Sequence, residues 1–313
     1  MPDNGSILKK TSKRAALIMN LSAVVCWSIA PPMIHYVQKY FPINFQNFFR
    51  YLFSLLVLWP FFFISHGREE SINSLKKLLK LYPKILFMAG INYLFQITYT
   101  YGVFKLLPGL FTLIQQSQIL FSVFLAMCLF PDERKTLKDI LFLIGIAITV
   151  GGVTLTVIGG KEIGKVEFGL GVVATFASAG FWALMGSLIK KWLPEIPPAL
   201  SVTSIITIVT PFFLLTHILT GNSLPSLHIP LSGWALMLLS GLIGVGIGQS
   251  LYYRAVPILG IALSTSIGLL LPFIAGIISF IVFRETLTPL QLFGGALLIT
   301  GSYIVIKIRF KYI

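Results

Sequence analysis

Arg50 is the side chain in this sequence with the strongest chemical consequence, because it lies eight residues inside an apolar run. An arginine at the centre of a membrane span costs about 2.5 to 3.5 kcal/mol on insertion scales, so something must compensate for it. Gln46 and Asn47 precede it by one helical turn and Ser54 follows by one turn, which predicts a polar stripe along one helix face. We interpret Arg50, with Gln46 and Asn47, as a site for a carboxylate or another anionic group. The alternative is a structural arginine paired with carbonyls at a helix C-terminus.

Further polar and aromatic residues interrupt other apolar runs at helical spacing. Asn92, Gln96 and Tyr99 follow one another at i, i+4 and i+7, for example. Because polar groups inside a span are expensive, they should face protein or a wet cavity rather than lipid. Any single amide serves equally well as a contact between helices. The predicted substrate-binding residues are Trp27, Gln46, Asn47, Arg50, Asn92, Gln96, Tyr99, Gln115, Gln118, Trp182, Gln249, Tyr253 and Ser264.

Acidic residues are missing from the apolar runs, since all ten lie between the runs or at their rims. This disfavours charge-paired binding of cations, although aromatic faces can still attract a quaternary amine. His35, near the end of the first run, is a candidate proton relay, with an ordinary interfacial histidine as the alternative. Cys26 and Cys128 lie inside apolar runs and no Cys/His cluster has ligand spacing, so we expect neither a metal nor a cofactor.

The elements that position these residues are membrane spans. With 56% apolar and 11% charged residues, the chain is not a water-soluble globular domain. The net charge of +14 resides at the ends of the apolar runs, which indicates a membrane protein rather than a nucleic-acid binder. Runs of about 20 apolar residues can span a bilayer. The ten predicted spans are 15–36, 42–65, 83–103, 107–130, 138–159, 168–189, 198–220, 232–254, 259–282 and 288–308.

The basic residues also predict an orientation. With a cytoplasmic N-terminus, the cytoplasmic segments hold 18 of the 24 Lys and Arg residues and the opposite segments hold 5. We therefore expect both termini in the cytoplasm and a bacterial plasma (inner) membrane as the location.

The loop from His66 to Lys84 combines leucines and lysines at helical spacing, which favours a short helix lying on anionic lipid. A site for a regulatory partner is the alternative.

The two halves of the chain resemble each other at a displacement near 150 residues. Phe104–Pro108 corresponds to Tyr253–Pro257, Glu133–Leu137 corresponds to Arg284–Leu287, and Trp27 corresponds to Trp182. A repeat of five spans must insert its second copy from the opposite side, which predicts the inverted repeats on which alternating access depends. A duplicated scaffold without transport is the alternative. The predicted segments are a cytoplasmic N-terminal segment (1–14), the first repeat (15–159), a periplasmic linker (160–167), the second repeat (168–308) and a cytoplasmic tail (309–313).

These features together resemble the EamA-type, ten-helix branch of the drug/metabolite transporter superfamily. The resemblance rests on the five-plus-five hydropathy, the tryptophan in the first span of each half, the basic residue and proline before spans four and nine, and Glu133 and Glu285 after those spans. It implies a central cavity lined by both halves and export or exchange of small metabolites such as amino acids. Relatives often carry a proline inside both spans four and nine, whereas this chain has only Pro272; span four has Gln115, Gln116 and Gln118 instead.

The sequence thus predicts an all-α membrane protein of ten transmembrane helices, arranged as two inverted five-helix repeats around a central cavity. We expect a secondary transporter of a small organic metabolite, an amino acid or related carboxylate, and not an enzyme, because the spans lack acid/base pairs and no Walker motif occurs. The alternatives are an aromatic-cage carrier of a cationic metabolite or drug, and a non-transporting receptor or channel. Expected partners are the small-molecule substrate and a bilayer with anionic lipid at the cytoplasmic face, and no nucleic acid. The sequence indicates no oligomeric state.

Overall fold

The computed structural model describes residues 12–131, 134, 138–160, 164–221, 229–259 and 261–312. Within these ranges the protein is all-α, as predicted. The helices are α1 (Lys13–Val37), α2 (Ile43–Lys80), α3 (Tyr82–Lys105), α4 (Pro108–Gln115), α5 (Gln118–Leu129), α6 (Ile140–Ile158), α7 (Val166–Trp192), α8 (Pro198–Leu219), α9 (Leu231–Leu239), a π-helical segment (Ser240–Ile247), α10 (Gly248–Leu259), α11 (Ile261–Gly268), α12 (Leu271–Phe283) and α13 (Pro289–Tyr312).

The predicted spans are all present as helices or as pairs of helices. In the described part of the chain, nine are long and apolar enough to cross a membrane. The tenth, α3, has 24 residues and carries the polar residues Asn92, Gln96 and Thr100 on buried positions. The first and last helices extend beyond the predicted spans 15–36 and 288–308. The α1 helix begins at Lys13, and α13 continues to Tyr312.

The eighth span is longer than predicted, because the helix continues to Leu259 instead of ending near residue 254. The segment Tyr253–Pro257 therefore lies inside α10 and not in a loop between spans. Pro257, near the C-terminal end of α10, has no backbone N–H and therefore cannot donate to the carbonyl of residue 253.

Spans four and nine are each broken near the middle of their length. The break between α4 and α5 falls at Gln116 and Ser117, and the break between α11 and α12 falls at Leu269 and Leu270. At both breaks the amides bond three residues back rather than four. The equivalent positions differ by about 150 residues, so the two breaks are related by the repeat. The missing proline in span four therefore does not make that span continuous.

Each helix of the first repeat packs against a partner in the second. The α1 helix packs on the π-helical segment and α10, α2 on α8, α3 on α7, α4 on α12, and α6 on α13. Exchanging the two repeats leaves this set of pairs unchanged, because spans one and eight correspond to spans six and three. This reciprocal pairing is what an inverted repeat requires.

The backbones of α6 and α13 approach each other closely where the two helices cross. A β-carbon on Gly152 would lie 2.3 Å from the Leu298 nitrogen, and one on Gly294 would lie 2.6 Å from the Thr156 nitrogen. Small residues at such a crossing let two backbones touch in a membrane. The same holds where the π-helical segment meets α2, since a β-carbon on Gly241 would lie 2.2 Å from the Arg50 carbonyl oxygen.

Gly67 divides α2 into a spanning part and the segment 68–80, which we call the amphipathic segment. Gly67 has φ 69° and ψ 170°, a conformation that favours glycine. Beyond it, Ser71 and Leu78 are buried while Leu79 is 70% exposed. Lys77 forms an exposed ion pair with Glu195 at 3.2 Å. The helix predicted for this loop is therefore present and amphipathic.

Candidate functional site

Asn47 is the centre of a buried hydrogen-bond network between α2 and α3. Its Oδ1 accepts from the hydroxyl of Thr100 at 2.7 Å, from Nε2 of Gln96 at 3.2 Å and from a guanidinium nitrogen of Arg50 at 3.4 Å. Its own amide nitrogen donates to the Gln96 carbonyl at 3.4 Å. Asn47 and Gln96 therefore hold these two helices together in the described conformation.

Tyr51 extends this network towards the predicted cytoplasmic face. Its hydroxyl lies 3.0 Å from Oδ1 of Asn92 and 3.1 Å from Oε1 of Gln96, and the Asn92 amide nitrogen lies 3.2 Å from the Met185 sulfur. Tyr51 and Thr100 were not among the predicted residues. Thr100 could have been found, since it lies one turn after Gln96 on the same face of α3.

Arg50 is only 2% exposed and has no carboxylate partner within the described part of the chain. Its Nε has no hydrogen-bond partner there, and its contact with Asn47 is long at 3.4 Å. Tyr51 and Tyr99 are the ionisable side chains near the guanidinium. Two ion pairs between described residues lie elsewhere, one between Lys77 and Glu195 and one between Lys105 and Glu167.

Gln46 is a second buried polar group without a partner. It is fully buried, and neither its amide oxygen nor its amide nitrogen forms a hydrogen bond with the described residues. It stands one turn before Arg50 on the same helix. A buried amide of this kind costs about 1 to 3 kcal/mol unless a partner satisfies it, so Gln46 and Arg50 together are the strongest sign of a missing polar ligand.

The predicted aromatic residues lie on four helices and are partly exposed. Trp27 packs on Tyr252 with ring centroids 5.2 Å apart, while Tyr99 packs edge-on against Phe111 at 4.8 Å. Trp182 lies 5.2 Å from Phe95, and Tyr253 borders the same apolar cluster as Trp182. Tyr99 and Trp182 thus share Phe95 as a neighbour, which places α3 and α7 aromatics side by side.

The remaining predicted polar residues belong to spans four, eight and nine. Gln115 accepts a hydrogen bond from Ser178 at 2.7 Å, and Gln118 lies 3.5 Å from Gln116. Gln249 and Ser264 are buried, and the Gln249 amide oxygen and the Ser264 hydroxyl have no partner among the described residues. Gln115 is therefore already engaged by a helix contact, whereas Gln249 and Ser264 retain free polar atoms.

His35 lies apart from this set, in a cavity of about 490 Å³ at the face predicted to be outside, which we call the outer cavity. Its Nδ1 lies 2.6 Å from the Val103 carbonyl, so this nitrogen carries the proton and donates. The outer cavity is also lined by Lys105, Arg284 and Glu285. In the described ranges no three His, Cys, Asp or Glu side chains gather as a metal site would require.

Comparison with protein families decides the class of protein. The family model of the EamA-like transporter family matches residues 14–158 and 169–307, which is one match for each five-helix repeat. The chain belongs to the EamA-like transporter family. It is therefore a multi-pass membrane protein of a family that transports small molecules.

A solved structure described only as a crystal structure of a protein shares the fold. It has a TM-score of 0.65 and 16% sequence identity, and the match covers 94% of this chain and 96% of that one. Among curated proteins none matches significantly. The likeness to this structure therefore concerns the fold alone, and the substrate has to be argued from the site.

Proposed function

We propose that this EamA-like protein is a secondary transporter that moves a small organic metabolite carrying a carboxylate, such as an amino acid, by alternating access. The observation that carries the proposal is Arg50, a buried cation without an acidic partner in the described residues.

Arg50 supports an anionic substrate because a buried charge needs compensation. A guanidinium offers five donors in a planar fork that matches a carboxylate, and here its Nε is without a partner. The unpartnered amide of Gln46 on the same helix supplies one more donor and an acceptor. A carboxylate between them would satisfy the groups that the protein leaves unsatisfied.

The aromatic residues complete the proposed site. Tyr99 and Trp182 present partly exposed rings near the α2–α3 network, and Trp27 with Tyr253 would contribute from α1 and α10. These rings suit the apolar part of a metabolite. The same rings could hold a cationic metabolite by cation–π attraction, but Arg50 would repel such a substrate.

Alternating access is supported by the reciprocal helix pairing and by the two breaks. The breaks in spans four and nine allow each half-helix to move against the other. Gln116 at the first break lies 3.5 Å from the Gly268 carbonyl beside the second, so the two breaks meet inside the protein. The outer half-helices α4 and α12 pack together at the predicted outer face, where their separation would open a path to the outside.

The membrane setting is proposed from the charge distribution. Both termini lie in the cytoplasm of a bacterial cell, and the amphipathic segment rests on the inner leaflet with its lysines towards anionic lipid. The exposed Ile72 and Leu79 on this segment suit the boundary between headgroups and acyl chains.

Counterflow of labelled amino acids and carboxylates into proteoliposomes tests the proposed function. We expect saturable exchange that Arg50→Gln reduces by at least about tenfold, because one charge-assisted pair is worth roughly 1.5 to 3 kcal/mol. Arg50→Lys should retain part of the activity, since it keeps the charge but loses the fork. Arg134→Gln is the matched control, because Arg134 is exposed and, among the described residues, its side chain donates to the Met127 carbonyl.

Three results would overturn the proposal. Full exchange by Arg50→Gln would make the arginine structural, and exchange of cationic substrates alone would favour the aromatic-cage carrier. Flux that neither saturates nor shows counterflow would indicate a channel.

A further inference from the structure

Glu285 joins the two repeats at the predicted outer face. It follows α12 and is only 7% exposed. Its carboxylate accepts hydrogen bonds from the backbone amides of Gly109 and Leu110, each at 2.8 Å, and from the hydroxyl of Ser279. A side chain of the second repeat therefore caps the first turn of α4 in the first repeat. We call this contact the outer clasp.

The first turn of α4 has no cap of its own. The helix begins after Leu107, which offers no side-chain cap, and Pro108 occupies its first position. Without Glu285, the amides of Gly109 and Leu110 would be donors without acceptors inside a membrane protein. The negative carboxylate also interacts favourably with the positive end of the helix dipole. The outer clasp is therefore a charge-assisted contact that α4 cannot supply from its own sequence.

Gly109 lets the carboxylate approach α4 closely. A β-carbon at this position would lie 2.7 Å from the carboxylate oxygen Oε2 of Glu285 and 3.0 Å from the carboxylate carbon. Because the carboxylate is the movable end of a side chain, a methyl group on residue 109 would displace the carboxylate rather than the backbone. The outer clasp thus depends on Gly109 as well as on Glu285.

The α4 helix is short and is held at both ends. Its eight residues extend about 12 Å at 1.5 Å per residue. At the inner end, Gln115 accepts a hydrogen bond from Ser178 of α7 at 2.7 Å, and the break at Gln116 and Ser117 follows. At the outer end, the outer clasp joins α4 to the residues that follow α12. Release of the outer clasp therefore lets α4 swing about its inner end.

The outer cavity provides space for water when the outer clasp opens. Glu285 and Leu110 line this cavity together with the cations Lys105 and Arg284. If α4 separates from α12, the carboxylate and the α4 amides exchange their mutual hydrogen bonds for hydrogen bonds to water. Opening therefore breaks the outer clasp without leaving a buried charge unsatisfied.

We propose that Glu285 is a positioning residue that holds the outer gate, the contact between α4 and α12, closed in the resting carrier; this inference rests on the alternating access proposed above. The carboxylate keeps its charge throughout. It bonds to α4 when the gate is closed and to water when the gate is open. Because charge-assisted hydrogen bonds are stronger than neutral ones, the open conformation is the minor one until a substrate that binds it better shifts the equilibrium.

Distances between spin labels measure the outer gate. Labels at Leu107→Cys and Val282→Cys, in a background with Cys26→Ala and Cys128→Ser, report the separation of the outer ends of α4 and α12 in nanodiscs. We expect mainly the short distance in the parent protein without substrate. Glu285→Gln should raise the ratio of long to short distances about tenfold, because its amide keeps one acceptor and presents an N–H to the donors of α4.

Gly109→Ala tests the outer clasp without removing the carboxylate, and it keeps the inference testable if Glu285→Gln does not fold. It should favour the long distance, because its methyl group displaces the carboxylate from the α4 amides. Since both substitutions break the same contact, the double variant should be no more open than the more open single variant. Additive effects on the ratio would show that the two residues act independently and would contradict the outer clasp.

Two matched controls separate the outer clasp from nonspecific effects. Glu167→Gln removes an exposed carboxylate on the same face. Gly276→Ala adds a methyl group to α12 at a position where a β-carbon meets nothing within 4 Å. Both variants should leave the distance ratio unchanged. An effect of either one as large as that of Glu285→Gln would overturn the assignment.

A second pair of labels separates this inference from the proposed function. Cys128, in a background with Cys26→Ala, and Leu263→Cys lie near the inner ends of α5 and α11, and both positions are exposed. If access alternates, the inner distance should shorten in Glu285→Gln as the outer distance lengthens. An outer response without an inner one would support the outer clasp but contradict alternating access.

Two further results would overturn this inference. If Glu285→Gln and Gly109→Ala both leave the outer distance unchanged, Glu285 does not hold the gate, and counterflow that persists in that case leaves the proposed function intact. A parent protein that shows mainly the long outer distance without substrate would not be closed to the outside at rest.

Discussion

At the scale of single residues, Gln46 and Asn47 are neighbouring amide side chains inside the same apolar run, but their surroundings differ. Asn47 takes part in four hydrogen bonds, three of them between α2 and α3, whereas Gln46 is fully buried and its side chain forms none within the described ranges. The stripe of polar residues on α2 therefore combines a structural contact with a candidate binding group. This distinction matters because only groups without internal partners gain hydrogen bonds when a ligand binds.

The pair Gln46 and Asn47 provides a test of this distinction. We expect Asn47→Leu to lower the free energy of unfolding by about 1 to 3 kcal/mol, because Gln96, Thr100 and Arg50 lose an acceptor. Gln46→Leu should leave stability unchanged or slightly increased, since it removes unsatisfied atoms, but should weaken substrate binding. Unfolding in SDS, together with substrate titration, measures both. Equal destabilisation by the two variants would show that Gln46 has a structural partner.

At the scale of elements, the breaks in spans four and nine arise from different residues. Both broken spans are interrupted at equivalent positions, although only span nine has a proline near the break, at Pro272. In span four the turn is made by Gln116 and Ser117, and the Gln116 side chain contacts the opposite break. A short polar turn of this kind has no strong local signature, because both residues keep right-handed helical dihedral angles.

The α6–α13 crossing offers a prediction with a neighbouring control. Gly152→Ala should destabilise the protein by about 1 to 3 kcal/mol, because its methyl group would overlap the α13 backbone at Leu298 and Gly294. Gly151→Ala should be neutral or stabilising by up to about 1 kcal/mol, since a β-carbon there meets nothing within 4 Å and alanine favours the helix. The same SDS unfolding assay compares them, and equal effects would argue against this crossing.

At the scale of the whole molecule, the reciprocal pairing of spans places equivalent parts of the two repeats on opposite faces. The turn between α1 and α2, with Lys39, then lies on the same face as Glu167, while Lys77 and Glu195 lie on the other. This arrangement follows from an odd number of spans per repeat. It also predicts which positions a reagent outside the cell can reach.

Labelling of single cysteines with a membrane-impermeant maleimide tests the topology. In a background without Cys26 and Cys128, we expect Lys39→Cys and Glu167→Cys to react from outside. Lys77→Cys and Glu195→Cys should react only in inside-out vesicles. All four are exposed positions, so differences reflect the membrane and not burial. Lys39 and Glu195 lie in equivalent turns of the two repeats, so reaction of Lys39→Cys and Glu195→Cys from the same side would exclude the inverted arrangement.

The sequence by itself determined the membrane class, the spans and the repeat, because hydropathy and spacing act locally along the chain. It also located Arg50, since a charge inside an apolar run is visible without any structure. Only the tertiary structure decided that Asn47 and Gln96 bond to each other, that Gln46 is left without a partner, and that Glu285 caps a helix 176 positions away in the chain. The reason is that hydrogen-bond satisfaction is a property of the space between helices, which no single helix specifies.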